Sequence, residues 1–101
     1  MNSEYHTFLG RLGKNPDLRY TAKSEPVCYL PVAIDKLNED QPEWKRVVVW
    51  GKQAELCNLY LDKGQEVFVQ GRNSLREYQD KDGNKKSIEE VRARLIGFSN
   101  L

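Results

Sequence analysis

Short runs of hydrophobic residues alternate with polar positions along most of the chain, which is the pattern of half-buried β-strands. Residues 5–12, 27–34 and 44–50 are three such runs, each rich in β-branched, aromatic or leucine side chains. Residues 13–17 are a cluster of turn-forming residues, and residues 18–23 can extend again after it. The first half of the chain therefore predicts three strands.

The second run combines a buried face with a proline. Period-two alternation places four side chains on one face: Cys28, Leu30, Val32 and Ile34. Pro31 has no N–H to donate to a ladder, so the run is expected to be an edge strand or to carry a bulge there. The polar and acidic residues 37–42 that follow predict an exposed loop.

Residues 53–63 carry the one helical pattern in the sequence. Ala54, Cys57 and Leu61 recur at helical spacing. Gly64 stands where a C-terminal cap belongs, just after a lysine in the last turn. We therefore expect a short helix that ends at this glycine.

The order of the elements predicts a fold class. Residues 66–72 read as a fourth strand, and a turn at residues 80–84 is flanked by extended segments at residues 75–78 and 87–96. Three strands, a short helix and two more strands is the order of a five-stranded oligonucleotide/oligosaccharide-binding (OB) barrel, whose helix lies between strands 3 and 4. We therefore expect an all-β OB-fold barrel, although other small barrels share this order.

Length, composition and charge exclude several classes of protein. The 101 residues fit one domain, expected to span residues 1–101. The 16 basic and 15 acidic groups nearly cancel to +1, so the high net charge of disordered chains is absent. The longest apolar run, residues 47–50, is too short to span a membrane, and no secretory leader is recognisable. We expect a cytoplasmic protein in which Cys28 and Cys57 are buried free thiols.

The third strand carries the strongest functional signal. Residues 44–52 hold three basic and no acidic residues. Val47 and Val49 suit the barrel core, with Lys45 at its rim. The opposite face carries two indoles and a guanidinium: Trp44, Arg46, Val48 and Trp50. Because a barrel has only one inside, both indoles are expected on an outer surface.

Exposed aromatic rings next to basic side chains suit single-stranded nucleic acid. Bases stack on such rings whatever their identity, and arginine meets the phosphate. Tyr78 predicts a second stacking position, and Tyr20 between Arg19 and Lys23 a weaker third. The alternative is that Trp44 and Trp50 pack against a partner subunit or under a loop. Four other aromatic residues are expected in the core or an interface: Phe8, Tyr60, Phe68 and Phe98.

Four motifs in order resemble the bacterial single-stranded-DNA-binding protein family. Residues 10–20, GRLGKNPDLRY, are similar to the opening G-x-L-G-x-D-P-x-x-R-Y of that family. Residues 43–55, EWKRVVVWGKQAE, resemble its E-W-x-R-V-V-x-[FW]-G-K-x-A-E. Residues 60–72 and 76–83 continue the match, so the resemblance covers nearly the whole chain.

The resemblance implies an OB barrel that assembles as a homotetramer and wraps single-stranded DNA without sequence preference in replication, recombination or repair. It places the stacking aromatic side chains at Trp44, Trp50 and Tyr78. We expect seven basic side chains to contact the phosphates: Arg11, Arg19, Arg46, Lys52, Arg72, Arg76 and Lys85. The first strand commonly pairs with its counterpart in a second subunit. The expected subunit contacts are therefore Tyr5, His6, Thr7, Phe8 and Lys45.

The chain departs from the family pattern at several positions. Lys45 replaces a common histidine and His6 a common aliphatic residue, which leaves a dimer as the alternative to a tetramer. The loop around Asn38 lacks an aromatic residue that some members place there, and Pro31 is unusual. The sequence shows no acidic C-terminal tip of the kind that recruits replication and repair proteins, so we expect no such recruitment.

Other functions are less well supported by the sequence. A single histidine, His6, and the absence of H-E-x-x-H or paired C-x-x-C motifs leave too few ligands for zinc, so we expect no enzyme, metal or cofactor. Two alternatives stay open: a dimer resembling primosomal replication protein B, acting in replication restart, and a scaffold whose Trp44 and Trp50 face binds protein. Salt dependence separates DNA binding from an apolar protein contact.

Overall fold

The computed structural model describes residues 4–34 and 40–98. Within these ranges the chain is mostly β-sheet with one short helix, as predicted. The elements in chain order are β1 His6–Leu12, β2 Asp17–Tyr20, β3 Pro26–Ile34, β4 Glu43–Trp50, α1 Lys52–Tyr60, β5 Glu66–Gln79 and β6 Lys85–Phe98. Asn38 and the first half of the predicted loop at residues 37–42 lie outside the described residues.

The strands form a sheet in the order β1-β5-β6-β4-β3-β2, and β1 also pairs with β3. The pairing of β1 with β3 is short, joining Arg11 to Ala33 and Leu12 to Val32. The β4–β6 pairing is parallel, through Val47 and Val91, whereas the others are antiparallel. Strand β1 is therefore hydrogen-bonded to strands from both halves of the sheet.

Residues 66–79 form one continuous strand, β5, where the sequence predicted a strand at 66–72 and a separate piece at 75–78. The separation was wrong because β6 is long enough to pair with β5 on both sides of the polar residues. The register shifts between Gln70 and Gly71, because β6 carries one extra residue, Arg94, between their partners Leu95 and Ala93, and this bulge bends β6. Gly71 permits this bend, since a Cβ there would lie 2.5 Å from the carbonyl oxygen of Arg92.

The helix α1 is shorter than predicted. It ends at Tyr60, because Leu61 turns to an extended conformation and buries its side chain in the core. Gly64 is not the cap; it lies in the following turn with φ +90°. The predicted inward residues Ala54 and Cys57 are buried. No helix in the described ranges is both long enough and apolar enough to cross a membrane.

The prediction that Pro31 marks an edge strand or a bulge was wrong. Strand β3 lies between β4 on one side and β2 and β1 on the other, and its register with β4 is continuous. The Pro31 carbonyl accepts the Gly13 N–H at 2.9 Å, on the side where β2 has ended and β1 has not yet begun. The nitrogen of Pro31, which carries no hydrogen, points into the same gap, because the N–H and C=O positions of one strand residue point to the same side. The proline therefore removes no ladder hydrogen bond.

The core lies between the strands and under α1. Val47 and Val49 of β4 are fully buried, as alternation predicted. Cys28 and Cys57 are buried free thiols. Burial raises the pKa of Cys28 to about 11 and that of Cys57 to about 12. Both thiols are therefore protonated at neutral pH and pack as small apolar side chains.

Candidate nucleic-acid interface

A groove of about 370 Å³ separates the outer face of β3 and β4 from the hairpin of β5 and β6. We call it the hairpin groove and define it by six of its residues: Tyr29, Val48, Trp50, Arg76, Glu90 and Arg92. Its side chains come from four strands, so it exists only because β6 pairs with both β4 and β5. Aromatic, apolar and charged groups are thereby brought together.

The two indoles of β4 share an outer face, as predicted. Trp44 is 56% exposed, and its ring lies against Gly13, where a Cβ would approach the ring atoms to 2.5 Å. Trp50 is half-buried, with the guanidinium carbon of Arg92 5.7 Å from its ring centroid. Val48, assigned to the same outer surface, is in fact buried. It pairs with Arg92 of β6 and lines the groove.

Arg46 and Arg76, both expected to contact phosphates, instead share one carboxylate. Arg46 Nε donates to Glu90 Oε2 at 2.9 Å, and Arg76 Nη2 donates to the same oxygen at 3.2 Å. Glu90 is only 7% exposed, whereas each arginine side chain is 45% exposed. Both guanidiniums are therefore partly exposed but already hold an anionic partner, and of the two only Arg76 lines the groove.

The electrostatics of this triad follow from its geometry. Burial alone would raise the pKa of Glu90, but the hydrogen bonds from Arg76 and Arg46 outweigh it, so the pKa lies below its usual value. The same hydrogen bond raises the pKa of Arg76. Glu90 is therefore a carboxylate at neutral pH, and with its two guanidinium partners the triad carries one net positive charge.

Tyr29 is a site residue that the sequence analysis missed. Its ring centroid lies 4.8 Å from the guanidinium carbon of Arg46 and 5.7 Å from that of Arg19. The signal was present, because Tyr29 lies between Cys28 and Leu30 and so faces away from the core. Its place in the groove depends on the register between β3 and β4, which sets Tyr29 opposite Val48.

Along the hairpin, alternation decides which side chains share the face of the groove. Tyr78 lies two residues beyond Arg76 on that face and pairs with Lys86. Lys85 pairs with Gln79, so it lies on the opposite face. Lys86, rather than Lys85, therefore shares the face of Tyr78.

Three other basic residues expected to contact DNA are not brought to the hairpin groove. Arg11 donates to the Gly64 carbonyl at 3.1 Å and lines a separate cavity. Lys52 is exposed at the first residue of α1. Arg72 lies against the ring of Tyr5.

Arg19 and Tyr20, at the end of β2, are each held by a nearby carboxylate. Arg19 Nη2 pairs with Asp17 Oδ2 at 2.9 Å, and this hydrogen bond raises its pKa. The Tyr20 hydroxyl donates to Glu55 Oε2 of α1 at 3.1 Å, which raises the pKa of the phenol. The weaker stacking position predicted at Tyr20 is thus tied to the helix, although its ring stays exposed.

The residues expected at a subunit contact occupy different environments. Tyr5 lies beside the hairpin, and His6 Nε2 lies 3.5 Å from Asn73 Nδ2 of β5. Thr7 is exposed, whereas Phe8 packs against the core. Lys45 Nζ pairs with a carboxylate of its own strand at 3.3 Å. The edge of β1 over residues 6–10 has no second strand neighbour within the described part of the chain.

The described residues thus form a β-domain with indoles and guanidiniums on an outer face beside a β-hairpin, and comparison with known proteins identifies the family. The single-strand binding protein family model matches residues 5–99. The chain therefore belongs to the single-strand binding protein family, as the motifs implied.

Individual relatives agree with this assignment. The chain is 36% identical over 91 residues to single-stranded DNA-binding protein 1 of Chlorobaculum tepidum, covering 82% of this chain and 56% of the relative. It is 35% identical over 102 aligned residues to the single-stranded DNA-binding protein of Neisseria meningitidis serogroup B, covering 91% and 59%. It is 36% identical over 95 residues to single-stranded DNA-binding protein 2 of Clostridium acetobutylicum, covering 89% and 71%. The chain thus spans little more than half the length of the first two relatives.

Proposed function

We propose that this chain binds single-stranded DNA without sequence preference, along the outer face of β4 and the hairpin groove. The observation that carries the proposal is the exposed indole of Trp44 on the same strand face as Trp50, with Arg46 between them on that face and the guanidinium of Arg92 beside Trp50. Rings of this kind accept any base, because every base has a π-face. The names of the relatives, single-stranded DNA-binding proteins, support the same ligand.

The side chains on the outer face of β4 and along the hairpin have distinct roles in binding. Bases stack on Trp44 and Trp50 and, farther along the hairpin, on Tyr78. Arg92 and the exposed parts of Arg46 and Arg76 meet the phosphates. We extend this role to the other expected basic residues, Arg11, Arg19, Lys52, Arg72 and Lys85, as more distant contacts along the strand. Because the groove offers ring faces and charge rather than a set of base-edge donors, binding is independent of sequence.

We propose that the strands form a closed five-stranded OB barrel, with β2 as a short addition. Two pairings of β1, with β5 and with β3, support closure because they connect the two halves of the sheet. The unpaired edge of β1 over residues 6–10 supports homo-oligomers, a tetramer or otherwise a dimer, through pairing with a second copy. In the cytoplasm of a bacterium such an assembly protects single strands during replication, recombination and repair.

The test is a titration with oligo(dT) at low salt, followed by tryptophan emission and repeated at high salt. We expect saturable quenching. The binding constant should fall by about 0.7 log units per log unit of salt for each phosphate neutralised. Trp50→Ala lowers the affinity by about 1–3 kcal/mol, the contribution of one base stack, while the fold is retained. Leu59→Ala, at an exposed apolar residue of α1, is the matched control with unchanged affinity.

Three results contradict the proposal in whole or in part. Absence of any binding by the wild-type protein refutes single-strand binding. Salt-independent capture of another protein by the Trp44 face, without DNA binding, supports the scaffold function instead. Equal affinity of wild type and Trp50→Ala removes Trp50 from the DNA path.

A further inference from the structure

A second cluster of guanidiniums lies around Tyr5, beside the base of the hairpin. The guanidinium carbons of Arg72 and Arg94 lie 5.2 and 5.1 Å from the Tyr5 ring centroid. With Arg92 they line a cavity of about 400 Å³, which we call the Tyr5 cavity. Tyr5 was expected at a subunit contact and Arg72 at the phosphates, whereas the sequence predicted no role for Arg92 or Arg94.

The charges of this cluster are uncompensated. Arg72 of β5 and Arg92 of β6 are direct cross-strand partners, a like-charge placement that destabilises a sheet. The rest of the cavity wall is polar or small: Asn73, Ser74 and Ala93. Across residues 4–34 and 40–98, none of the three guanidiniums has a carboxylate partner, in contrast to the pair that shares Glu90. Three positive charges around an open cavity favour an anionic ligand.

The Tyr5 cavity adjoins the hairpin groove. Arg92 lines both, and its guanidinium carbon is 5.7 Å from the Trp50 ring centroid. Across the base of the hairpin, the rings of Trp50 and Tyr5 therefore flank the guanidiniums of Arg92 and Arg72. A ring next to a cation matches a nucleic-acid strand, in which each base lies next to a phosphate.

The backbone under the cluster is held in place by α1. Gln53 Nε2 donates to the Arg94 carbonyl at 2.9 Å, and Gln53 Oε1 accepts the Ile96 N–H at 3.2 Å. Two hydrogen bonds from one side chain thus position β6 next to Tyr5. The ring itself is 43% exposed, so a base can reach it.

We propose that Tyr5, Arg72, Arg92 and Arg94 form a second nucleotide-binding site, which extends the DNA path beyond the hairpin groove. This inference rests on the proposed function, since the ligand is the same single strand. One base stacks on Tyr5 in place of a guanidinium, and the displaced guanidinium pairs with the adjoining phosphate. The bound phosphates offset the repulsion between the positive charges of Arg72 and Arg92. This explains why two arginines are paired across the strands.

The experiment measures binding of fluorescein-labelled oligo(dT) by anisotropy, with lengths between about 4 and 16 nucleotides, the range that one such domain covers. The variants are Tyr5→Ala and Arg94→Gln, with Lys63→Gln as the charge-matched control because Lys63 lines neither cavity. Circular dichroism verifies that each variant folds, and sedimentation gives its oligomeric state.

The expected result depends on length. Both variants bind the shortest strands as the wild type does. Tyr5→Ala binds the longest strands about 5- to 140-fold more weakly, the range of one lost base stack. Arg94→Gln lowers the salt slope for long strands by about 0.7. Lys63→Gln matches the wild type at every length.

Three outcomes overturn the inference and are distinguishable. Variants that equal the wild type at all lengths refute the second site alone and leave the proposed function standing. Loss of affinity at all lengths, with a changed sedimenting mass for Tyr5→Ala, identifies the cluster as a subunit contact. A wild-type protein that binds no oligonucleotide refutes the proposed function first.

Discussion

Replacing Glu90 by glutamine is expected to weaken folding while strengthening DNA binding. Glu90→Gln keeps the shape of a side chain that is 7% exposed but removes the charge that Arg46 and Arg76 share at 2.9 and 3.2 Å. Breaking a fully buried ion pair costs about 3–5 kcal/mol, because one charge is left in a low dielectric. Here both arginines are 45% exposed and become hydrated instead. We therefore expect a loss of about 1–2 kcal/mol in the free energy of unfolding, in the range of one or two charge-assisted hydrogen bonds.

Urea unfolding followed by tryptophan emission measures this loss. The matched control is Glu89→Gln, because Glu89 is exposed and lies opposite Leu75 on the other face of the hairpin. The control should stay within about 0.5 kcal/mol of wild type, as surface substitutions do. A Glu90→Gln variant as stable as that control refutes the stabilising role of the triad.

The pH dependence of the same variant gives an independent measurement. The pKa of Glu90 in the folded protein lies below its value in the unfolded chain, because the two arginines favour the carboxylate. Its stabilising contribution is therefore complete above the unfolded pKa of about 4.3 and is lost as the pH falls through the folded pKa. The stability difference between wild type and Glu90→Gln should accordingly disappear in acid. A difference that persists unchanged at low pH contradicts this assignment.

Binding of oligo(dT) by the same variant tests the competition between Glu90 and phosphate. In this variant Arg46 and Arg76 no longer pair with a carboxylate. We therefore expect a higher affinity for oligo(dT) and a salt slope steeper by about 0.7 for each newly contacted phosphate. If the affinity falls together with the stability, Glu90 instead orients the arginines for DNA.

Two further predictions concern the fold. Gly71→Ala should lower the free energy of unfolding by about 1–3 kcal/mol, since its Cβ meets backbone at 2.5 Å; a thermal melt unchanged from wild type would show that the bulge absorbs it. Cys28 and Cys57 should resist a thiol reagent at neutral pH until the chain unfolds, because burial raises their pKa values to about 11 and 12. Rapid labelling of the folded protein would contradict their burial.

The parts of the site that sequence predicted correctly are those that depend on local periodicity. Alternation along one strand separates Val47 and Val49 from Trp44 and Trp50, and it needs no knowledge of neighbouring strands. Alternation also places Tyr29 outside the core, but its contact with Arg46 depends on the register between β3 and β4.

The parts that sequence did not predict depend on contacts between distant segments. Arg46 and Glu90 are separated by 44 residues, and only the parallel pairing of β4 with β6 brings them together. The early end of α1 has a similar cause, because the core takes up Leu61 and draws it out of the helix. Pro31 is tolerated in a central strand because a gap between two neighbouring strands happens to face it. Such features require the register of the whole sheet.

The outer half of the β5–β6 hairpin differs energetically from the rest of the molecule. Residues 75–79 of β5 are exposed and pair with residues 85–89 of β6, none of which is buried, whereas the inner half of β5 is anchored in the core. A two-stranded ribbon without a buried face is marginally stable, so its open conformations are populated at free energies far below that of global unfolding. A ligand lying across Tyr78 therefore orders a segment that the core leaves free, at an entropic cost. The ribbon sets the curvature of the DNA strand that can bind there, independently of the rigidity of the sheet beneath it.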